Sequence, residues 1–178
     1  MKTDWKNIDI RALAGIVSAK LKAKGIDALL VGGACVSIYT KNKYLSLDLD
    51  YVTYSSIKEV APALENLGFY RQKGRHFMRE DCPFFIEFVS PPPAIGNEPV
   101  KTIAHIKTRH GTIALFTPTD CVKDRLAAFY HWNDPQAIEQ ALMVIKVQKV
   151  DMREVKRWSL KEGHEEKYEV FKKRLKQL

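Results

Sequence analysis

The sequence lacks the signatures of several common enzyme classes: no GxSxG, no Walker A motif and no GxGxxG stands anywhere in the chain. Cysteine is scarce. Cys35, Cys82 and Cys121 are odd in number and show no CxxC spacing, which argues against a disulfide framework and a zinc knuckle and suits a reducing cytoplasm. The histidines, His76, His105, His110, His131 and His164, form no i, i+4 pair and have no cysteine at zinc spacing, so each reads as solvated or packed. No apolar run is long enough to span a bilayer, and the start MKTDWKNIDI has no stretch suited to a signal peptide. Repeats and low-complexity segments are absent. The expectation is a soluble, cytoplasmic chain with no membrane partner.

What is present is enough to fold. A chain of 178 residues, 46% hydrophobic and 10% aromatic, suits one ordinary domain or a small α/β core with a helical extension. The net charge of +8 is uneven: residues 146–178 hold eleven basic and six acidic side chains. Such a surplus suits RNA, DNA or a phosphorylated ligand, and equally an ordinary solvated helix surface.

Apolar positions Ile10, Leu13, Val17 and Leu21 predict an amphipathic helix over 9–24, with Asp9 as N-cap and Gly25 as stop. IDALLV (26–31) reads as a buried strand and LDLDYVTY (47–54) as a second one. Ser56 to Glu59 spells a capping box for a helix to Leu67, with Pro62 implying a later start or a bend. RHFMRE (75–80) and FFIEFV (84–89) predict a hairpin, and TIAHIKT (102–108) with GTIALF (111–116) another strand pair. Thr117-Pro118-Thr119-Asp120 opens a run of helices, roughly 118–131, 135–149, 152–160 and from about 164. The plan is an α+β core over 1–116, a mixed sheet flanked by helices, followed by a helical region over 117–178. Trp132, Trp158 and Tyr168 read as core or helix-packing residues, being too dispersed to stack bases.

Within LLVGGACVSIYTKNKYLSLDLDYVT (29–53), Asp48 and Asp50 stand two positions apart in a predicted strand and so share one face. Paired carboxylates repel unless a cation sits between them, and oxygen ligands with room for phosphate oxygens suit Mg²⁺. Glu87, between core residues Ile86 and Phe88, is the candidate third carboxylate. Gly32-Gly33, ending the first strand ahead of a short helix, would let backbone N–H groups approach a triphosphate. The chemistry implied is phosphoryl transfer. Each element alone is weak, since Gly pairs and DxD sequences are common; their ordered set is far more specific.

Leu30-Val31-Gly32-Gly33 followed by Ser46-Leu47-Asp48-Leu49-Asp50 resembles the signature of the nucleotidyltransferase superfamily that includes polymerase beta. The resemblance is closest to small prokaryotic members of the abortive-infection and toxin–antitoxin type. It covers residues 26–90 and extends into the helix 120–128, where Lys123 and the following Arg125-Leu126-Ala127 are similar to a lysine-containing helix in those relatives. The resemblance implies an NTP donor and Mg²⁺ or Mn²⁺. Asp48, Asp50 and Glu87 would hold the metals, with Glu87 also orienting or deprotonating the attacking hydroxyl. Gly32, Gly33 and Ser46 would bind the nucleotide, and Lys123 would contact phosphate unless it is merely a surface lysine.

The sequence also departs from that pattern. Fourteen residues lie between Gly33 and Asp48, so the loop around Lys41 to Tyr44 reads as an insertion over the site. Position 34 is Ala, and the Arg-Asp of tRNA 3′-end-adding relatives is absent, which argues against a full CCA-adding enzyme. The expected acceptor is a hydroxyl of RNA (a tRNA end suits the basic tail), of a protein or of a small molecule. Arg71, Lys73, Arg75 and Arg79 would either grip nucleic acid or guard an exposed sheet edge. Two alternatives remain at this stage: a non-catalytic nucleotide-binding or regulatory protein on the same fold, and a toxin neutralised by a cognate protein partner.

Overall fold

The computed structural model describes residues 3–178. Helix α1 (Ile10–Lys22) starts where Asp9 accepts a hydrogen bond from the Ala12 amide at 2.9 Å, and it buries Ile10, Leu13, Val17 and Leu21. Strand β1 (Leu29–Val31) leads into α2 (Gly33–Tyr39), then β2 (Asp48–Val52). Helix α3 (Ile57–Glu65) is opened by Glu59 accepting from the Ser56 amide. It runs through Pro62 without interruption, contrary to the expected later start or bend. It also ends at Glu65, earlier than Leu67, with Gly68 at φ +80° turning the chain.

Three short strands follow, β3 (Tyr70–Arg71), β4 (His76–Met78) and β5 (Phe85–Val89), then a small ribbon of β6 (Ala94–Ile95) and β7 (Glu98–Pro99). Strands β3, β6 and β7 have two residues each and no readable period, so the sequence shows them only as loop. Strands β8 (Ile103–Lys107) and β9 (Thr112–Phe116) form the second expected hairpin.

The main sheet is mixed, in the order β3-β4-β5-β2-β1-β9-β8. Strand β1 pairs antiparallel with β2 and parallel with β9, and β2 pairs parallel with β5. Leu49 and Tyr51 turn to the α1 side, where the Tyr51 hydroxyl donates to the Ala14 carbonyl at 3.2 Å. Alternation therefore turns Asp48 and Asp50 to the other side.

Helices α4 (Pro118–Trp132), α5 (Pro135–Val147), α6 (Met152–Lys161) and α7 (Glu165–Leu175) complete the fold. Thr117, Asp134 and Asp151 cap the first three, and Pro follows the cap in two of them. Tyr130 stacks on Trp158 at 5.7 Å, and the Trp158 indole donates to the Ile95 carbonyl at 3.1 Å, joining the ribbon to α6. Tyr168 is also buried. Trp132, expected in the core, is 80% exposed: it ends α4, one residue before left-handed Asn133, and has passed the packed face. No helix among the described residues is long and apolar enough to cross a membrane.

Candidate active site

Strand β1 stops at Val31 because Gly32 takes φ +69°, ψ −153°, a backbone state open to glycine. The position has a second constraint. A Cβ on Gly32 would lie 2.6 Å from Asp50 Oδ2, so the absent side chain is what lets the carboxylate approach the turn. Register places Val31 opposite Asp50, and Asp50 in turn beside Glu87 of β5. Asp48, Asp50 and Glu87 thus share one face at the end of the sheet where β1 terminates. Asp48 and Glu87 are exposed, and Asp50 is partly buried.

The electrostatics are unbalanced. Burial, then the Asp48 and Glu87 carboxylates, push the Asp50 carboxyl up to about 6. The Arg125 guanidinium on α4 opposes this shift, while neighbouring Asp124 adds to it. Arg125 is itself held by Asp124, through Nε at 3.0 Å, and by Gln140 of α5, through Nη1 at 3.3 Å. Asp124 and Arg125 were not singled out for this face in the sequence, because only the docking of α4 brings them there.

Glu87 leans toward His76, directly across on β4, with Nδ1 to Oε2 at 3.9 Å. The His76 ring lies 5.2 Å from that of Phe85. His76, expected to be an ordinary histidine, is therefore a neighbour of the acidic face. The hairpin register could have revealed this, since His76 and Glu87 are cross-strand partners.

The chemistry of the donor set suits a hard divalent cation: three carboxylates on one face, beside a turn without side chains. As placed, the acids stand open. Among the described residues, no three His, Cys, Asp or Glu side chains form a cluster able to hold a metal ion.

The other candidates are distributed differently. Gly33 abuts Ser46, whose Oγ would lie 3.0 Å from a Cβ at that glycine. The Ser46 hydroxyl donates to the Asp48 carbonyl at 3.1 Å, and its amide donates to Ser37 Oγ at 2.9 Å, so the serine shapes the entry to β2. Lys123 is neither on the surface nor on the acidic face. It is buried, its ammonium bonded to Asp120 at 3.1 Å and Glu154 at 3.2 Å.

Those ion pairs continue through Arg157 to Glu98 and line a separate cavity of about 430 Å³. Its buried cation is matched by carboxylates of the chain itself. The basic hairpin is also engaged locally: Arg71 bonds the Gly74 carbonyl, Arg75 bonds Ser90, and Arg79 bonds Asp81 and the Leu67 carbonyl. Arg71 pairs with Phe77, on the face opposite His76, so the hairpin places it away from the acids. The three cysteines are free, and burial pushes the Cys35 and Cys121 thiols well up, which leaves them protonated and unsuited to nucleophilic attack.

The mixed sheet with flanking helices and this acidic end is a nucleotidyltransferase-like fold, and comparison with solved structures agrees. An antigenic nucleotidyltransferase-like protein from Paracoccidioides brasiliensis superposes with a TM-score of 0.58 at 14% identity, covering 81% of this chain and 78% of its own. ANT(2'')-Ia in complex with adenylyl-2''-tobramycin superposes with a TM-score of 0.52 at 12% identity, covering 93% and 99%. At these identities the likeness is one of fold. No family model matches the chain, and no curated protein does.

Proposed function

We propose that this chain is a metal-dependent nucleotidyltransferase that moves an NMP from an NTP to an acceptor hydroxyl: the hydroxyl oxygen bonds the α-phosphorus as the α–β phosphoanhydride bond breaks, and pyrophosphate leaves. The observation that carries this reading is the placement of Asp48, Asp50 and Glu87 on one sheet face beside Gly32, with burial first and then the other two carboxylates pushing Asp50 up to about 6. A structure tolerates that cost where the charges are used.

Asp48 and Asp50 would hold Mg²⁺ or Mn²⁺, and Glu87 would join them when the metal and substrate are bound. The metal supplies charge stabilisation at the transferring phosphoryl group. Glu87, the most peripheral acid of the set, orients the acceptor hydroxyl and takes its proton. Gly32 and Gly33 would offer their backbone N–H groups to the phosphates, while their missing side chains let Asp50 and Ser46 close on the turn.

For the acceptor, Asp81 neutralises Arg79, while Arg71 and Arg75 meet only the Gly74 carbonyl and the Ser90 hydroxyl and keep their charge for RNA. The basic tail is likewise partly paired, with Lys172 on Glu169, Arg174 on Glu139 and Lys161 on Glu98. A small-molecule acceptor has a precedent in ANT(2'')-Ia, solved with adenylyl-2''-tobramycin. A tRNA end or a protein hydroxyl, including that of a cognate toxin–antitoxin partner, is retained for the test. The open spacing of the three acids favours a second reading, a nucleotide-binding regulator without turnover.

The experiment is incubation with Mg²⁺ or Mn²⁺, each labelled NTP, and RNA, protein or small-molecule fractions, beside Asp48→Asn. Label in one fraction, lost in the variant, supports transfer and identifies the acceptor class. NTP and metal binding without label in any fraction supports the regulator.

A further inference from the structure

We infer that the open face of β5, β4 and β3 is an acceptor platform for single-stranded RNA, on which terminal bases stack against Phe85, His76 and Tyr70 while the terminal ribose hydroxyl lies at Glu87; this rests on the transferase of the preceding reading. In the step itself the ribose oxygen bonds the α-phosphorus, its proton passes to Glu87, and pyrophosphate leaves.

The two faces of this part of the sheet differ sharply. On one, Leu49, Tyr51, Ile86, Phe88 and Phe77 are all buried. Alternation turns Asp48, Phe85, Glu87 and His76 to the other side, and Tyr70 joins them because its neighbour Arg71 pairs with Phe77. None of these five is buried. A solvated sheet face is ordinarily polar, with apolar residues confined to the packed one. This one carries aromatic rings beyond the acids. Phe85 is half-buried and stands outside the hydrophobic core, Tyr70 is 43% exposed, and the His76 ring lies 5.2 Å from that of Phe85.

Register lines the rings up with the acids. Asp48 pairs with Phe85, Asp50 with Glu87, and Glu87 with His76, while Tyr70 follows on β3 beside Met78. Neighbouring strands lie about 4.8 Å apart, so the span from β2 to β3 is about 14 Å. Sheet surfaces with exposed aromatics take two or three unstacked bases in this way. A base lying on Phe85 and His76 leaves its own ribose beside Glu87, which stands between them in the register.

Charge names the occupant. The turn joining β3 and β4 carries Arg71, Lys73 and Arg75 with no acid among them, at the outer edge of the sheet. Arg71 and Arg75 bond only neutral groups there. Phosphates of a strand whose bases lie on the platform meet that edge, and a polycationic small molecule is repelled by it. A duplex keeps its bases stacked away from the rings, so the fit is to a single strand.

The test is fluorescence anisotropy of a 5′-labelled single-stranded RNA of about ten nucleotides, titrated with the purified chain in Mg²⁺ without NTP, beside an abasic strand of the same length. Tyr70→Leu and Phe85→Leu keep apolar bulk and remove a stacking ring. Each should weaken RNA binding roughly tenfold and leave the affinity for the abasic strand unchanged. Lys73→Gln should weaken both strands alike and reduce the salt dependence of binding. Tyr70 is exposed on an edge strand, so Tyr70→Leu still decides the question if Phe85→Leu fails a thermal melt. Equal RNA affinity in parent and variants overturns the inference, as do equal affinity for RNA and abasic strands, a preference for duplex, or no RNA binding by the parent. In each of those cases NMP transfer to a small molecule or a protein leaves the transferase standing. Ring-dependent RNA binding by a chain that neither binds nor turns over NTP overturns the acceptor role together with the transferase.

Discussion

Two groups of carboxylates are held in this protein under opposite conditions. At the end of β2 and β5, Asp48, Asp50 and Glu87 share one face, and burial first, then the other two carboxylates, push Asp50 up to about 6 against the opposing pull of Arg125. Between the ribbon, α4 and α6, Glu98 and Glu154 are held down to about 2 by hydrogen bonds from Arg157 first, with Lys161 and Lys123 assisting. The second group is satisfied by its own chain and reads as architecture. The first is not satisfied in this way, and the proposed cation and phosphate would supply the charge it lacks.

Substitutions can break that contrast, beginning with the largest effect. Asp48→Asn should lower NMP transfer by more than about a hundredfold, beyond the loss expected for a merely supporting residue, while the thermal midpoint hardly moves. Retained transfer would remove the acids from the chemistry. Lys123→Met should do the reverse. Leaving Asp120 and Glu154 without their buried partner should cost about 3 kcal/mol in urea unfolding, with activity per folded molecule within about twofold of the parent. A loss of NTP affinity without a loss of stability would instead make Lys123 a phosphate contact.

Asp50→Asn sharpens the comparison through pH. A carboxyl whose folded pKa is raised binds more protons folded than unfolded, so stability falls as pH rises from about 4 to about 6. The amide mimics the protonated form. In metal-free buffer the variant should be more stable than the parent by about 2 kcal/mol at pH 8, and the gain should vanish by about pH 4. Gly32→Ala should cost about 1–2 kcal/mol from the left-handed backbone alone, and should also depress transfer by displacing the Asp50 carboxylate.

The smallest effect belongs to the paired group. Glu98, depressed to about 2, contributes stability that is present above about pH 4.5 and is lost as pH falls through about 2. Glu98→Gln should flatten the acid limb of the unfolding profile and leave the neutral-pH rate of transfer unchanged.

Much of this was legible in the sequence wherever a local rule governs. Alternation alone puts Asp48 and Asp50 on one face, and the caps at Asp9, Thr117, Asp134 and Asp151 are short-range chemistry. Glu87 was legible as an acid between core residues Ile86 and Phe88, but its place beside Asp50 depends on the parallel pairing of β2 with β5, which no local pattern reveals. The influence of Arg125 and Asp124 on Asp50 was not legible, because the docking angle of α4 decides which of its residues meet that carboxylate. Lys123, two positions earlier, falls on another face of that helix. His76 was missed because a histidine without sequence neighbours carries no signal until the hairpin register is known. Trp132 misled because a large aromatic favours burial on average, and the last residue of a helix is not an average place.

Strand β1, interior to the sheet, also has a temporal implication. Leu30 of β1 pairs on one side with Tyr51 and on the other with Leu115. During synthesis the acidic face can assemble from β1, β2 and β5 as soon as Val89 has emerged, yet β1 remains an open sheet edge until β9 arrives. Across that interval the nascent chain exposes a template for unwanted pairing, and the slow step of maturation is predicted to be the capture of β9.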